Sequence, residues 1–232
     1  MKTILITGAN QGFGKALFQL YSDKGWKVFP LIRDESALSG LKEINPSCFP
    51  ILADLRDDDL IDKVTKVLSE QCDTLELLIN NAGYVKKVEG ALNITSEILE
   101  DHFKVNVSGI WNVSKAAYQF LIKAGHANII NVSSRRGSIE FNSSEPFARA
   151  LPYKVSKCAL NMLSVLMDEE FSKEGIRVIP VHPGKLKTWV APPDADTTPE
   201  AAALKLYEWV TKIDANTPCK LYDLMNEDFI PW

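Results

Sequence analysis

Short apolar runs alternate with longer amphipathic stretches along most of the chain, and the two patterns predict different elements. Lys2–Ile6, Lys27–Ile32, Phe49–Leu52, Leu75–Ile79, Asn128–Val132 and Arg177–Val181 are short, β-branched and largely apolar, which predicts strands buried on both faces. Between them apolar positions recur at helical spacing. Leu17, Leu20 and Tyr21 do so within Phe13–Lys24, and Ile61, Val64 and Leu68 within a helix from about Asp57 to Glu70. Gly25 stops the first of these helices, and Asn45-Pro46 breaks a short helix over Glu35–Glu43. Longer helices are predicted over Ser96–Lys123 and Tyr153–Lys173, Pro199 opens another, and Lys220–Leu224 is a candidate last strand.

Regular strand–helix alternation implies a parallel sheet covered by helices on both faces, with right-handed crossovers. The expected fold class is α/β, one doubly wound domain over residues 1–232 with a sheet of about seven strands. No internal repeat or linker interrupts it. The polar and proline-rich stretches near residues 135–152 and 185–199 read as long functional loops on that domain.

Composition narrows the function. A hydrophobic share of 46% suits a substantial core, and 26 basic against 30 acidic side chains leave a net charge of -4. That balance carries no electrostatic footprint for nucleic acid, and no polybasic stretch suggests a membrane surface. No apolar run is long enough to span a bilayer, and Met1–Thr7 is too short for a signal peptide, so a cytoplasmic location is expected. Cys48, Cys72, Cys158 and Cys219 lack zinc or redox spacing and read as reduced thiols. His102, His126 and His182 are isolated, and no metal site is expected.

The chemistry begins at Thr7-Gly8-Ala9-Asn10-Gln11-Gly12-Phe13-Gly14, which joins the first strand to the first helix. Glycines let the chain turn tightly and approach a pyrophosphate, and the helix N-terminus offers unpaired N–H groups and a positive dipole end. The turn is expected to be the Rossmann arrangement for a dinucleotide, with an ordinary tight turn as the alternative. The choice between nicotinamide cofactors belongs at the end of the second strand, Leu31-Ile32-Arg33-Asp34. Ile32 stands where a carboxylate for the ribose of NAD would lie, and Arg33 follows it, so NADP(H) is preferred, with NAD(H) as the alternative through Asp34.

Further motifs follow in order: Asn80-Asn81-Ala82-Gly83, Asn106 in Val105-Asn106-Val107, Asn131-Val132-Ser133-Ser134, Tyr153-Lys154-Val155-Ser156-Lys157, and Pro183-Gly184 with Thr188 beyond. Together with the glycine turn, this ordered set resembles the short-chain dehydrogenase/reductase family over nearly the whole chain. Val181-His182-Pro183-Gly184 with Lys187-Thr188, Thr198-Pro199-Glu200-Ala201-Ala202 and the terminal Phe229-Ile230-Pro231-Trp232 are similar to the branch holding sniffer-type carbonyl reductases and C-factor-like proteins.

The resemblance implies an oxidoreductase acting on a small-molecule carbonyl or alcohol. Tyr153 would be the general acid/base, Ser134 would bond the substrate oxygen, and Asn106 would hold a water in a proton relay. Lys157 lies one helical turn from Tyr153, so the two side chains share a face. Its ammonium is expected to lower the phenol pKa, and by resemblance it also holds the nicotinamide ribose. Of the serine pair, Ser134 is preferred over Ser133. The cofactor set implied is Gly8, Asn10, Gln11, Gly12, Phe13, Gly14, Arg33, Asp54, Leu55, Asn81, Ala82, Gly83, Tyr153, Lys157, Pro183, Gly184, Leu186 and Thr188. Asp54 would meet the adenine, residues Asn80 to Gly83 its ribose side, and Pro183, Gly184 and Thr188 the nicotinamide.

Two points stay open at this level. Tyr153 lies 19 positions after Ser134, a longer interval than relatives commonly show. The extra loop carries Arg135, Arg136, Phe141, Phe147 and Arg149 and reads as a solvated charged segment, with an acidic-substrate site as the alternative. Trp189 and Pro192-Pro193 are expected in a second wall that closes as a lid. The competing functions are an NAD-dependent alcohol dehydrogenase and a C-factor-like signalling or regulatory protein that binds the cofactor without turnover. Relatives pair through their two long helices as homodimers or homotetramers, and others are monomers.

Overall fold

The computed structural model describes residues 1–143, 150–188 and 195–232. Its strands are β1 (Thr3–Thr7), β2 (Lys27–Ile32), β3 (Ile51–Leu52), β4 (Leu77–Asn80), β5 (Ala127–Val132), β6 (Ile176–His182), β7 (Tyr222–Asp223) and β8 (Asp228–Phe229). They form one eight-stranded sheet in the order β3-β2-β1-β4-β5-β6-β7-β8. All pairings are parallel except the last, where β7 and β8 make an antiparallel hairpin. The expected seven strands thus gain an eighth. Its two exposed residues lack the apolar run that marks the others.

Strands β1, β4 and β6 are buried at every position, as strands covered on both sides must be. The helices are α1 (Gly12–Asp23), α2 (Leu38–Ile44), α3 (Leu60–Gln71), α4 (Ser96–Phe103), α5 (Ile110–Lys123), α6 (Ile139–Ser143), α7 (Leu151–Phe171) and α8 (Pro199–Val210). One core joins the sheet to α1, α2 and α8 through Phe13, Leu17, Tyr21, Leu41, Ala202 and Leu206. The other joins it to α3, α5 and α7 through Leu60, Val64, Leu68, Val113, Leu121, Met167 and Phe171.

Two local features position the site. Residues Lys104–Gly109 between α4 and α5 are π-helical, so the single helix predicted from Ser96 to Lys123 changes register where it passes Asn106. At the far end of α7, Arg177 makes a bidentate pair with Asp168 (Nε–Oδ1 and Nη2–Oδ2, each 2.9 Å), and Asp168 also accepts from the Val178 N–H at 2.8 Å. Breaking a buried pair of this kind costs about 3–5 kcal/mol, so α7 is firmly tied to β6. The chain runs from β1 to β2 on one side and returns to β4 on the other, which opens a crevice at the C-terminal ends of these strands.

Candidate active site

The turn after β1 is built for close backbone approach. Gly8 has φ +66°, a conformation that favours glycine, and its N–H donates to the Leu31 carbonyl at 2.8 Å. A side chain on Gly14 would place Cβ 2.1 Å from the Gly8 carbonyl oxygen, so α1 can start against the turn only without one. Asn81 Nδ2 donates to the carbonyls of Thr7 (2.9 Å) and Gly8 (3.2 Å), and the Ala82 N–H donates to Thr7 Oγ1 at 2.9 Å. Gln11 precedes α1 in extended conformation and makes no side-chain cap bond. The helix therefore presents N–H groups that no capping side chain has taken, above a cavity of about 450 Å³. The pyrophosphate of a nicotinamide dinucleotide fits this cradle.

At the outer end of that cavity the charges are paired. Arg56 grips Asp54 through Nε (3.0 Å) and Nη2 (2.7 Å), while Arg33 Nε stands 4.0 Å from the same carboxylate. The Arg56 guanidinium, above all, holds the Asp54 carboxyl below its ordinary range. Arg33 keeps 70% of its side chain exposed at the cavity edge. Asp34 instead caps the turn that follows it, accepting from the Ser36 N–H at 2.9 Å. The bonds from Ser36 also lower its pKa.

Alternation along the strand ends decides which polar groups face inward. Asn80 is fully buried and donates through Nδ2 to Ser114 Oγ (3.1 Å) and Asn131 Oδ1 (2.9 Å), and Asn131 Nδ2 donates to Ser164 Oγ at 2.9 Å. Asn80 thus braces β4, β5 and α5, whereas Asn81, Ala82 and Gly83 line the crevice. The serine pair divides likewise. Ser133 Oγ donates to Asn161 Oδ1 on α7 at 2.5 Å. Ser134 Oγ accepts from the Arg136 N–H at 3.2 Å beside Tyr153, in a second cavity of about 480 Å³.

Tyr153 and Lys157 lie on the first turns of α7, which opens with Pro152 near its start, where a missing N–H costs nothing. Tyr153 is half-buried. Burial pushes its hydroxyl pKa up, against the bond to Ser134 and the charge of Arg136. Lys157 is 2% exposed, donates through Nζ to the Val132 carbonyl at 2.8 Å, and is pushed by burial down to about 7. The sequence expectation that a Lys157 ammonium depresses Tyr153 is therefore modified. Ser134 and Arg136 exert that pull here, because burial disfavours the ammonium itself. Asn106 Oδ1 accepts from the Tyr84 N–H (2.7 Å), and its Nδ2 donates to the Tyr84 carbonyl and to Ser156 Oγ, both at 2.9 Å. Ser156 Oγ in turn donates to the Tyr153 carbonyl at 2.8 Å. Both amide hydrogens of Asn106 are used, and one Oδ1 lone pair remains.

The family pattern described as short chain dehydrogenase matches residues 2–198. The chain belongs to the short-chain dehydrogenase family. It is therefore an oxidoreductase acting between CH–OH and C=O groups with NAD(P)(H). Oxidoreductase UcpA of Salmonella typhimurium is 31% identical over 193 residues, covering 82% of this chain and 71% of that protein. Among solved structures, an NADPH-bound carbonyl reductase from chicken fatty liver superposes with TM-score 0.91 at 25% identity, covering 100% of this chain and 99% of that one. Carbonyl reductase Sniffer of D. melanogaster gives TM-score 0.90 at 25% identity, covering 100% of both chains.

In this short-chain dehydrogenase, every residue expected to meet cofactor or substrate, except Asn80 and Asn106, lines one of the two cavities, which meet at Phe13, Asn81, Gly83, Tyr84 and Thr188. Asn106 lies behind Tyr84. Phe147, Arg149, Trp189, Pro192 and Pro193, expected in the loop walls, lie outside the described residues. Sequence reasoning missed Arg56 and Lys87. Arg56 had a signal, since it stands two positions beyond Asp54 at a strand end. Lys87 had none. No helix among the described residues is long and apolar enough to cross a membrane.

Proposed function

We propose that the chain is an NADPH-dependent carbonyl reductase in which Tyr153 gives the proton to the carbonyl oxygen. The observation that carries this reading is the joining of the two cavities: the glycine cradle opens directly onto Tyr153, Ser134 and Lys157. When bound, the nicotinamide supplies the hydride to the carbonyl carbon. The residues Gly8, Asn10 to Gly14, Asn81 to Gly83, Lys157, Pro183, Gly184, Leu186 and Thr188 would hold it. Ser134 Oγ bonds the substrate oxygen and keeps Tyr153 aimed at the same atom. Loss of the phenolic proton leaves an anion that burial disfavours, so a proton must return to Tyr153. Lys157 titrates at about 7 and exchanges protons readily at neutral pH, with a water on the remaining Asn106 Oδ1 lone pair completing the relay.

NADPH is preferred because Arg33 faces solvent at the cavity edge, free to take the 2′-phosphate, while Asp34 is engaged with its own turn. Arg56 supports this choice by neutralising Asp54, which would otherwise repel that phosphate. The chain is read as one domain working in the cytoplasm. The exposed Trp111, Met162 and Leu166 on α5 and α7 fit pairing of two copies through these helices. The test is oxidation of NADPH and NADH across aldehydes, ketones and quinones. Faster turnover with NADPH is expected. A preference for NADH overturns the cofactor assignment, and cofactor binding without turnover on the whole panel overturns the reductase reading.

A further inference from the structure

The substrate end of the cleft departs from the charge pattern of the chain. Its cavity is lined by the cations Lys87, Arg135 and Arg136, and by no Asp or Glu among the described residues. Yet the chain carries more acidic than basic side chains, 30 against 26. A solvated surface intersperses both signs, whereas a cleft of one sign concentrates ligands of the other. We propose that this wall selects a carbonyl substrate that carries its own anionic group, a carboxylate or a phosphate ester. The proposal rests on the carbonyl-reductase reading above.

The wall is built rather than draped. Arg135 and Arg136 belong to a single helical turn, Arg135–Gly137, that begins directly after Ser134. Ser134 fixes its start by accepting from the Arg136 N–H, and the Gly137 N–H donates to the Ser134 carbonyl at 2.8 Å. Asn142 Nδ2 donates to the Arg136 carbonyl at 2.7 Å. A Cβ on Gly137 would fall 2.8 Å from the Lys157 backbone, so only glycine lets this turn seat against α7. The Arg135 guanidinium lies 4.9 Å from the centre of the Phe141 ring. With the turn fixed and Arg135 seated over Phe141, the Arg135 guanidinium loses little freedom on binding, and its fork suits both carboxylate and phosphate.

Placement ties the anion to the chemistry. Arg135 and Arg136 line the same cavity as Ser134 and Tyr153, so the cationic wall and the reacting carbonyl are neighbours. The anionic group therefore sits a short distance along the same small molecule. His182 lines this cavity too, and its buried Nδ1 has no hydrogen-bond partner among the described residues. Burial first, then the charges of Arg135 and Lys185, push its pKa down to about 4 against the pull of Asp223, so it stays neutral near pH 7. A neutral His182 adds no positive charge to this wall.

Matched pairs of probes test the proposal: levulinate against its methyl ester, and glyceraldehyde 3-phosphate against glyceraldehyde. For at least one pair, kcat/KM should favour the charged member by about ten- to a hundred-fold, the worth of one charge-assisted bond. The preferred pair identifies the anion. The advantage should shrink with added salt, and the charged-to-neutral ratio should collapse in Arg135→Gln/Arg136→Gln. Lys87→Gln, on a separate segment, should lower the same ratio and serves if the arginine pair is needed for folding. Neutral members turned over as well as charged ones in both pairs overturn the proposal. If no probe is turned over, calorimetric binding to the NADP-loaded protein decides. Tighter binding of a charged member then keeps the cationic wall and leaves the reductase reading to the carbonyl panel above, and equal binding sinks the wall.

Discussion

The two ends of the cleft treat charge in opposite ways. At the cofactor end, Arg56 and Arg33 face Asp54, and Asp34 is occupied by Ser36, so the cations and carboxylates there balance. At the substrate end Lys87, Arg135 and Arg136 line the cavity, and no carboxylate among the described residues joins them there. The cofactor end is made by strand ends and one helix start, elements the fold places by itself. The substrate end is made by a short turn after β5 and by segments beyond β4 and β6. A dinucleotide carries its phosphates wherever it binds, and a balanced site needs only one added cation to tell NADPH from NADH. A small substrate offers few handles, and a wall of a single sign supplies one.

Separating the two ends is the strongest way to test this contrast. Tyr153→Phe should lower turnover by about 10²–10⁴-fold, the usual worth of a positioned general acid, while fluorescence titration still finds the cofactor bound. Near wild-type turnover would remove Tyr153 from the mechanism. Arg33→Ala acts on the other end. It should lower kcat/KM for NADPH by roughly ten- to a hundred-fold and spare NADH, because the lost bond is a charge-assisted one to the only group that differs. Adding Ile32→Asp should push preference further toward NADH. If Asp34→Ala rather than Arg33→Ala does the damage, the ribose is held by Asp34 and the balanced picture of the cofactor end fails.

A smaller effect is expected from the cradle. Gly14→Ala forces a methyl group into the Gly8 carbonyl, where the contact is backbone and cannot swing away. The cost should be about 1–3 kcal/mol of stability, as for other overpacked sites, and cofactor affinity should weaken with it. Thermal melts and a cofactor titration check both. A variant as stable as wild type and binding as tightly would show that the turn adjusts freely.

The cofactor end was more legible in the sequence because its geometry is local. A glycine turn between a predicted strand and a predicted helix is readable as such, and the residues expected there, Gly8 and Asn10 to Gly14, all line the cavity. Pairs of adjacent polar residues were less legible. Asn80 and Ser133 read as site neighbours, yet Asn80 is turned into the core and the Ser133 hydroxyl is engaged with Asn161, which leaves Asn81 and Ser134 to serve the crevice. The β7–β8 hairpin was half visible, since two-residue strands carry no period. Arg135 and Arg136 were read as solvated because composition does not say which way a loop faces. Their direction comes from Gly137, whose role depends on a contact with α7 some twenty positions away in sequence.

The substrate end should also leave a mark on stability that the cofactor end does not. Burial holds Lys157 at about 7, against an ordinary value of 10.5. Above pH 7 the folded protein has released this proton while the unfolded chain still binds it. The unfolded state then binds more protons, so stability rises with pH, by at most about 1.4 kcal/mol per unit. Below pH 7 both states are protonated and the group contributes no slope. The half-buried thiols Cys72 and Cys219, pushed by burial up to about 11 and about 12, act in the opposite sense once free thiols ionise near pH 8.5. Urea denaturation of the cofactor-free protein between pH 7 and about 8.5 therefore isolates the lysine. Wild type should grow more stable across that window. Lys157→Met should flatten the rise, and Arg33→Ala, at the other end of the cleft, should keep it. A flat or falling wild-type profile would mean that Lys157 stays charged in the fold, and the proton relay through it would lose its basis.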